Sequence, residues 1–322
     1  MKKLTLGGFI NTQVVLLSLL FLASPFFCNA QLKGGHLLGG MGLKSGTQAP
    51  QNTLTLLLPV YYYNSKSLQN SDGDEIATPN IDMLITGVGI NWISDFKILG
   101  ATYGASAILP FAANRLDGNE LESKSDFAYS DTYIQPIQLG WQKKQVDILA
   151  GYQLYIPTGK YELGGENSGL GMWINEFTGG ATVYFTDDKK WHLSSLLSYE
   201  IHGKKKDTDI KTGDILNIEG GAGKTFYVLN NDKTAPKSII NAGLIYYMQF
   251  KTTADEIPAG SLTINPDKDS VLALGAEANF LHLSSKTSFG LRWFGELDAI
   301  NRFQGNTFFL TLAYIFSTEN KQ

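Results

Sequence analysis

The chain has 322 residues, 26 basic against 30 acidic side chains and a formal charge of −4. This mild acidity argues against a nucleic-acid partner, which needs a basic face. The one cysteine, Cys28, falls in an N-terminal leader, so the mature chain is expected to hold neither a disulfide nor a thiolate metal site, and no cofactor is expected.

Residues 1–30 read as a secretory signal. Lys2 and Lys3 give the positive start, Val14 to Ala23 the apolar run, and Cys28-Asn29-Ala30 a cleavage site before Gln31. Ser24-Pro25 interrupts the run, which is too short for a membrane anchor. Bulky Phe27 next to Cys28 argues against lipidation. Loss of Lys2 and Lys3 takes the formal charge from −4 to −6.

Residues 31–52 are rich in glycine and have no clean period. His36, Leu37, Leu38, Met41 and Leu43 would be exposed if this segment stood alone. It is therefore expected either to lie in the periplasm or, preferably, to fold into the following domain as a partial plug of its lumen.

From residue 53 to 316 the hydrophobic pattern has a period of two, the mark of strands with one apolar face. In chain order the strands are predicted over 53–63, 81–93, 99–111, 131–141, 147–156, 177–185, 191–202, 212–228, 238–252, 269–280, 285–294 and 306–316. The clearest pair surrounds Pro157–Asn175. Before it, Ile148, Ala150, Tyr152, Leu154 and Ile156 share one face. After it, Phe177, Gly179, Ala181, Val183 and Phe185 do. In the last strand Phe308, Leu310, Leu312, Tyr314 and Phe316 align.

Runs of about ten residues suit tilted strands crossing a bilayer. Connections after odd strands read as long and polar, and those after even strands as short. That is the alternation of an outer-membrane barrel with extracellular loops and periplasmic turns. A soluble sandwich would have shorter strands and no such inequality. The predicted fold is all-β: an antiparallel transmembrane β-barrel of about 12 strands over 53–316, with a polar tail at 317–322. Its partners are membrane lipid and the outer-membrane assembly machinery.

Gly35-His36-Leu37 through Gly46, the stretch Pro157-Thr158-Gly159-Lys160-Tyr161, and Asn167-Ser168-Gly169-Leu170-Gly171-Met172-Trp173 add a resemblance. Through them the sequence resembles the outer-membrane transporter family named for the meta-pathway of phenol degradation. The motifs are loose and bring no binding residues with them. The resemblance implies a barrel that passes hydrophobic or aromatic compounds.

Three other signals weaken on inspection. Gly220-Gly221-Ala222-Gly223-Lys224-Thr225 suggests a phosphate loop, but Ile218 replaces the first glycine and Phe226-Tyr227-Val228 continues a strand rather than a helix. Lys224 reads instead as a snorkelling residue near the periplasmic end. Asn70-Ser71-Asp72-Gly73-Asp74-Glu75 resembles a calcium loop whose spacing fails at Glu75 and Ile81. Of His36, His192, His202 and His282, only His202 is placed to serve as a base in a barrel hydrolase, and no nucleophile motif adjoins it.

Glu200, Glu219, Glu277 and Arg292 fall on the face opposite the apolar one, as do Tyr247 and Gln249. An arginine facing lipid at midplane costs about 2–4 kcal/mol, so these residues are expected to line the lumen. They could select permeants, or prop the barrel as an ion-pair network. The expected function is an outer-membrane channel without enzymatic chemistry, passing small hydrophobic or aromatic molecules. A structural or adhesion barrel is the first alternative and a barrel lipid hydrolase the second.

Overall fold

The computed structural model describes residues 34–118, 121–258 and 268–317. The signal at 1–30, with Cys28, and the tail from 318 lie outside the described residues. Fourteen strands follow in order: β1 (Thr53–Gln69), β2 (Glu75–Ala77), β3 (Asn80–Ile98), β4 (Ala101–Gly118), β5 (Leu121–Tyr129), β6 (Thr132–Gln142) and β7 (Val146–Ile156). Then come β8 (Ile174–Tyr184), β9 (Trp191–His202), β10 (Ile215–Leu229), β11 (Pro236–Lys251), β12 (Ser270–His282), β13 (Thr287–Ile300) and β14 (Phe303–Ser317).

Twelve of these close into one antiparallel barrel, the expected fold. β14 returns to β1 with Thr53 opposite Ser317 and Leu68 opposite Phe303. Closure removes the free edges that an open sheet would present to lipid. β2 and β5 are hairpin extensions, paired with β1 and β4 respectively. Among the described residues no helix is long and apolar enough to cross a membrane.

The outward face is a continuous apolar belt. Leu84, Val88, Ile90 and Trp92 of β3 are exposed to it, as are Phe177 and Val183 of β8 and Phe308, Leu310, Leu312, Tyr314 and Phe316 of β14. Leu244 of β11 is 72% exposed, the behaviour of a lipid-facing side chain and not of a core. Lys224 lies 4.6 Å from the Trp191 ring at the turn end of β9 and β10, a snorkelling cation held over an interfacial aromatic.

Several predicted boundaries change, among them that of β3, which runs to Ile98 across the predicted 94–98 turn. The connection predicted over 295–305 is a tight turn at Asn301 and Arg302, because β13 and β14 continue beyond the apolar belt. Residues 112–129 are mostly a strand hairpin of β4 and β5, not an irregular loop. β1 likewise continues to Gln69. Above the membrane a strand needs no lipid-facing alternation, so these polar extensions read as loops in sequence.

The buried interior is the lumen itself. One cluster joins Leu38 and Leu43 to Ile245, Tyr247, Val271 and Phe294. The other holds Tyr61, Tyr63, Ile81, Leu116, Phe303 and Phe309, with Leu37 packed against it. Side chains of the segment that precedes β1 thus belong to the first cluster and pack against the second.

Candidate functional site: the lumen and the segment within it

Residues 34–50 run lengthwise along one side of the lumen, from the level of Glu200 near the loop end to Asp147 near the turn end. The contacts are mainly carboxylates from the wall meeting main-chain N–H groups of the segment. Glu200 accepts from the Gly35 N–H at 2.6 Å and the His36 N–H at 3.3 Å. Glu219 accepts from Gly39, and from Met41 at 3.2 Å. Glu277 accepts from Leu43 at 2.6 Å. Arg292 of β13 donates to the Gly40 carbonyl at 2.7 Å and lies 3.2 Å from Glu277, its cross-strand neighbour.

His36 sits between two walls of negative charge. Its Nδ1 is 2.7 Å from Glu176 and its Nε2 is 2.9 Å from Glu219. With both carboxylates ionised, each ring nitrogen donates to one of them and the ring is an imidazolium. The carboxylates of Glu176 and Glu219 are buried, and bare carboxylates there would be costly without this cation and its accompanying N–H donors. Tyr155 adds an O–H to Glu176 at 2.8 Å.

Glycine makes the close approach possible. A Cβ on Gly42 would overlap the Glu277 carboxylate, and Gly39 has a φ of +85° while lying against the Phe294 ring. The absence of clean periodicity in this stretch follows, since its contacts are made by main chain and not by one side-chain face. Toward the turn end, Thr47 donates to Asp147 at 3.1 Å, and the Gln142 side chain donates to the Gln48 carbonyl at 2.9 Å.

The opposite wall differs. Between the segment and β1, β3, β4, β6 and β7 lies a cavity of about 690 Å³. Leu57, Tyr61, Ile85, Ile108, Tyr133 and Leu149 are among the side chains that line it. Among the described residues the inward positions of β1, β3, β4 and β6 carry no charge within the barrel. The cavity extends from Gln48 and Gln138 to Asp131, Asn167 and Ser168 at the loop end.

The loop end is tied down. Asp131 accepts main-chain N–H groups from Gly159 at 3.0 Å and Leu170 at 2.6 Å, holding the 157–173 loop to the rim. The Lys205 ammonium donates to the Leu170 carbonyl at 3.1 Å from the adjoining loop. Burial pushes the pKa of Lys205 down to about 8, with nearby Asp131 and Asp255 opposing the shift.

The six residues predicted for the lumen fall into two groups by the contacts they make. Glu200, Glu219, Glu277 and Arg292 contact the segment. Tyr247 and Gln249 belong to a network nearer the loop end, where Tyr247 donates to Glu296 at 3.0 Å and Arg302 donates to Gln249 at 2.6 Å. Glu176, Glu296 and Arg302 were missed. Extending the alternation of β8 by one inward position finds Glu176, whereas Glu296 and Arg302 lay in the misread connection.

The remaining sequence signals resolve locally. Gly220–Thr225 is the middle of β10, with no helix after it. The acidic stretch is a turn in which the Asn70 side chain accepts from Asp72 and Asp74, both at 2.9 Å. His202 is buried, with Nδ1 2.9 Å from the Gly213 carbonyl and Nε2 3.4 Å from Glu200. These are a carbonyl and a carboxylate, not a nucleophilic hydroxyl. Among the described residues no group of three or more potential metal ligands comes together.

A closed ring of strands with an apolar outer belt and a polar, part-filled lumen defines a bacterial outer-membrane β-barrel. The chain belongs to the family described as "Putative MetA-pathway of phenol degradation", whose profile matches residues 65–312. Its fold is similar to an outer membrane channel from Pseudomonas putida, with a TM-score of 0.69, 12% identity, and coverage of 84% of this chain and 97% of that one. Weaker likenesses include the beta domain of the Bordetella autotransporter BrkA, with a TM-score of 0.46, 10% identity, and coverage of 82% of this chain and 100% of that one. A Pseudomonas aeruginosa FadL homologue gives 0.35, with 10% identity and coverage of 83% and 91%. No curated protein matches the sequence.

Proposed function

We propose that this barrel is a passive channel for small, neutral, apolar or aromatic molecules, with residues 34–50 acting as a partial plug. The observation that carries the reading is the 690 Å³ cavity, one side of which is the uncharged inner face of β1, β3, β4 and β6. Leu57, Tyr61, Ile108 and Leu149 offer apolar and aromatic contact to a permeant, and the amides of Gln135 and Gln138 offer exchangeable hydrogen bonds. The charged groups that also border the cavity are paired, Arg292 with Glu277, Glu296 with Tyr63 and Arg302, and Asp131 with main-chain N–H groups of the 157–173 loop, so a neutral solute meets little bare charge. Movement along such a wall needs no covalent chemistry. A permeant must bind weakly enough to leave, and dispersion contact without ion pairing provides that.

The test is solute flux into proteoliposomes with a neutral aromatic alcohol, its carboxylate analogue and a sugar of similar size. The aromatic alcohol should enter fastest relative to protein-free vesicles. Ile108→Arg places a charge in the cavity and should cut that flux by about tenfold, the equivalent of about 1.4 kcal/mol. Equal entry of all three solutes, or flux indifferent to Ile108→Arg, would refute the reading.

A further inference from the structure

The docked segment leaves one question open: what the wall beneath it becomes once it moves away. Glu176, Glu200, Glu219 and Glu277 come from β8, β9, β10 and β12, so they form a stripe that follows the lumen. Each touches the segment directly, through the His36 ring or the main-chain N–H groups of Gly35, His36, Gly39, Met41 and Leu43. The wall supplies fewer cations to the same stripe. Arg292 sits beside Glu277, and His202 beside Glu200 at 3.4 Å while its other nitrogen bonds to Gly213. Arg302 pairs instead with Asp269 at 3.5 Å and Glu296 at 3.7 Å.

We infer that residues 34–50 are a latch that masks charge: docked, the barrel offers its neutral wall, and undocked, it exposes a carboxylate stripe that makes it a cation-selective pore. This rests on the segment acting as a plug but not on the apolar character of the docked path. The physical reason is substitution of partners. Carboxylates that lose the imidazolium and the N–H donors must take water and mobile cations in their place. A lumen lined by one sign of charge concentrates its counter-ions and repels the others. His36 is the positioning residue of the latch, because it supplies the one side-chain cation of the segment that lies between two wall carboxylates.

The test uses the full chain in planar bilayers under a potassium chloride gradient, with assembly checked by heat modifiability. Wild type should discriminate weakly between potassium and chloride. His36→Gln removes the cation and should raise the potassium-to-chloride permeability ratio by about tenfold. Adding Glu176→Gln and Glu219→Gln to that chain should return the ratio toward the wild-type value while conductance stays high. Gly42→Val, which crowds Glu277 and leaves His36 in place, gives a second route to undocking and should reproduce the rise if His36→Gln fails to assemble. An unchanged ratio in the assembled undocking variants, or a raised ratio that survives neutralisation of the glutamates, overturns the inference. Aromatic-alcohol flux measured on the same wild-type preparation separates this outcome from failure of the neutral channel, since either result can occur without the other.

Discussion

The wall from β8 to β13 and the wall formed by β1, β3, β4 and β6 present the same apolar face to lipid, yet their inner faces are opposites. The first carries Glu176, Glu200, Glu219, Glu277 and Arg292, and the glycine-rich segment lies on it. The second carries Leu57, Tyr61, Ile85, Ile108 and Tyr133, and a cavity lies on it. The difference teaches where a chain settles inside a lumen. A segment with unpaired main-chain N–H groups is drawn to acceptors, and buried carboxylates need donors in return. A wall without such carboxylates hydrogen-bonds the segment only at its turn end, where Gln48 meets Gln138 at 3.1 Å and Gln142 at 2.9 Å.

The largest expected effect that would break this comparison comes from the charged wall. Glu219→Ala strips partners from His36, Gly39 and Met41 and leaves an under-compensated buried cation. It should weaken docking by about 3–5 kcal/mol. Hydrogen exchange of residues 36–43 in the detergent-solubilised barrel would report it, and retained protection would mean that the carboxylates do not hold the segment. Apolar contact shares the task. Leu38→Ala empties a site among Tyr247 and Phe294 and should cost about 2–4 kcal/mol in the same assay.

The rim gives a pH-dependent test. Lys205 has its pKa lowered to about 8 by burial against an ordinary 10.5. The closed loop therefore binds fewer protons than the open one between these values, and closure is favoured as pH rises through that window. Below about pH 8 the penalty for burying the charged amine is fully present, up to about 3 kcal/mol. Proteolysis of the 157–173 loop should slow from pH 8 to 10, and Lys205→Met should flatten the profile. The smallest effect belongs to the uncharged wall, where Gln138→Leu removes the bond to Gln48 and should change docking by only about 1 kcal/mol. A loss there as large as that of Glu219→Ala would erase the distinction between the walls.

Much of the barrel was legible because lipid imposes a strict rule. Every second side chain within the bilayer must be apolar, so Leu244, Phe308 and Phe177 could be assigned outward, and Glu219 and Tyr247 inward, without coordinates. The rule lapses above the membrane. There Glu296, Asp298 and Arg302 read as a loop although β13 and β14 continue as strands to a tight turn. The partners of the inward charges were not legible either. Glu277 and Arg292 face each other across a strand pair, which register alone reveals, while Glu219 reaches 178 residues back along the chain to Met41.

The alternation of side chains thus determined, by itself, that this chain forms a membrane barrel and which side chains turn away from lipid, because the bilayer tests each residue singly. Which of those inward residues meet, and that the chain's own early residues lie against the acidic side and leave the other side hollow, was decided only in three dimensions. Hydrogen bonding and ion pairing depend on distance in space, and no local pattern encodes the approach of His36 to two carboxylates carried by separate strands.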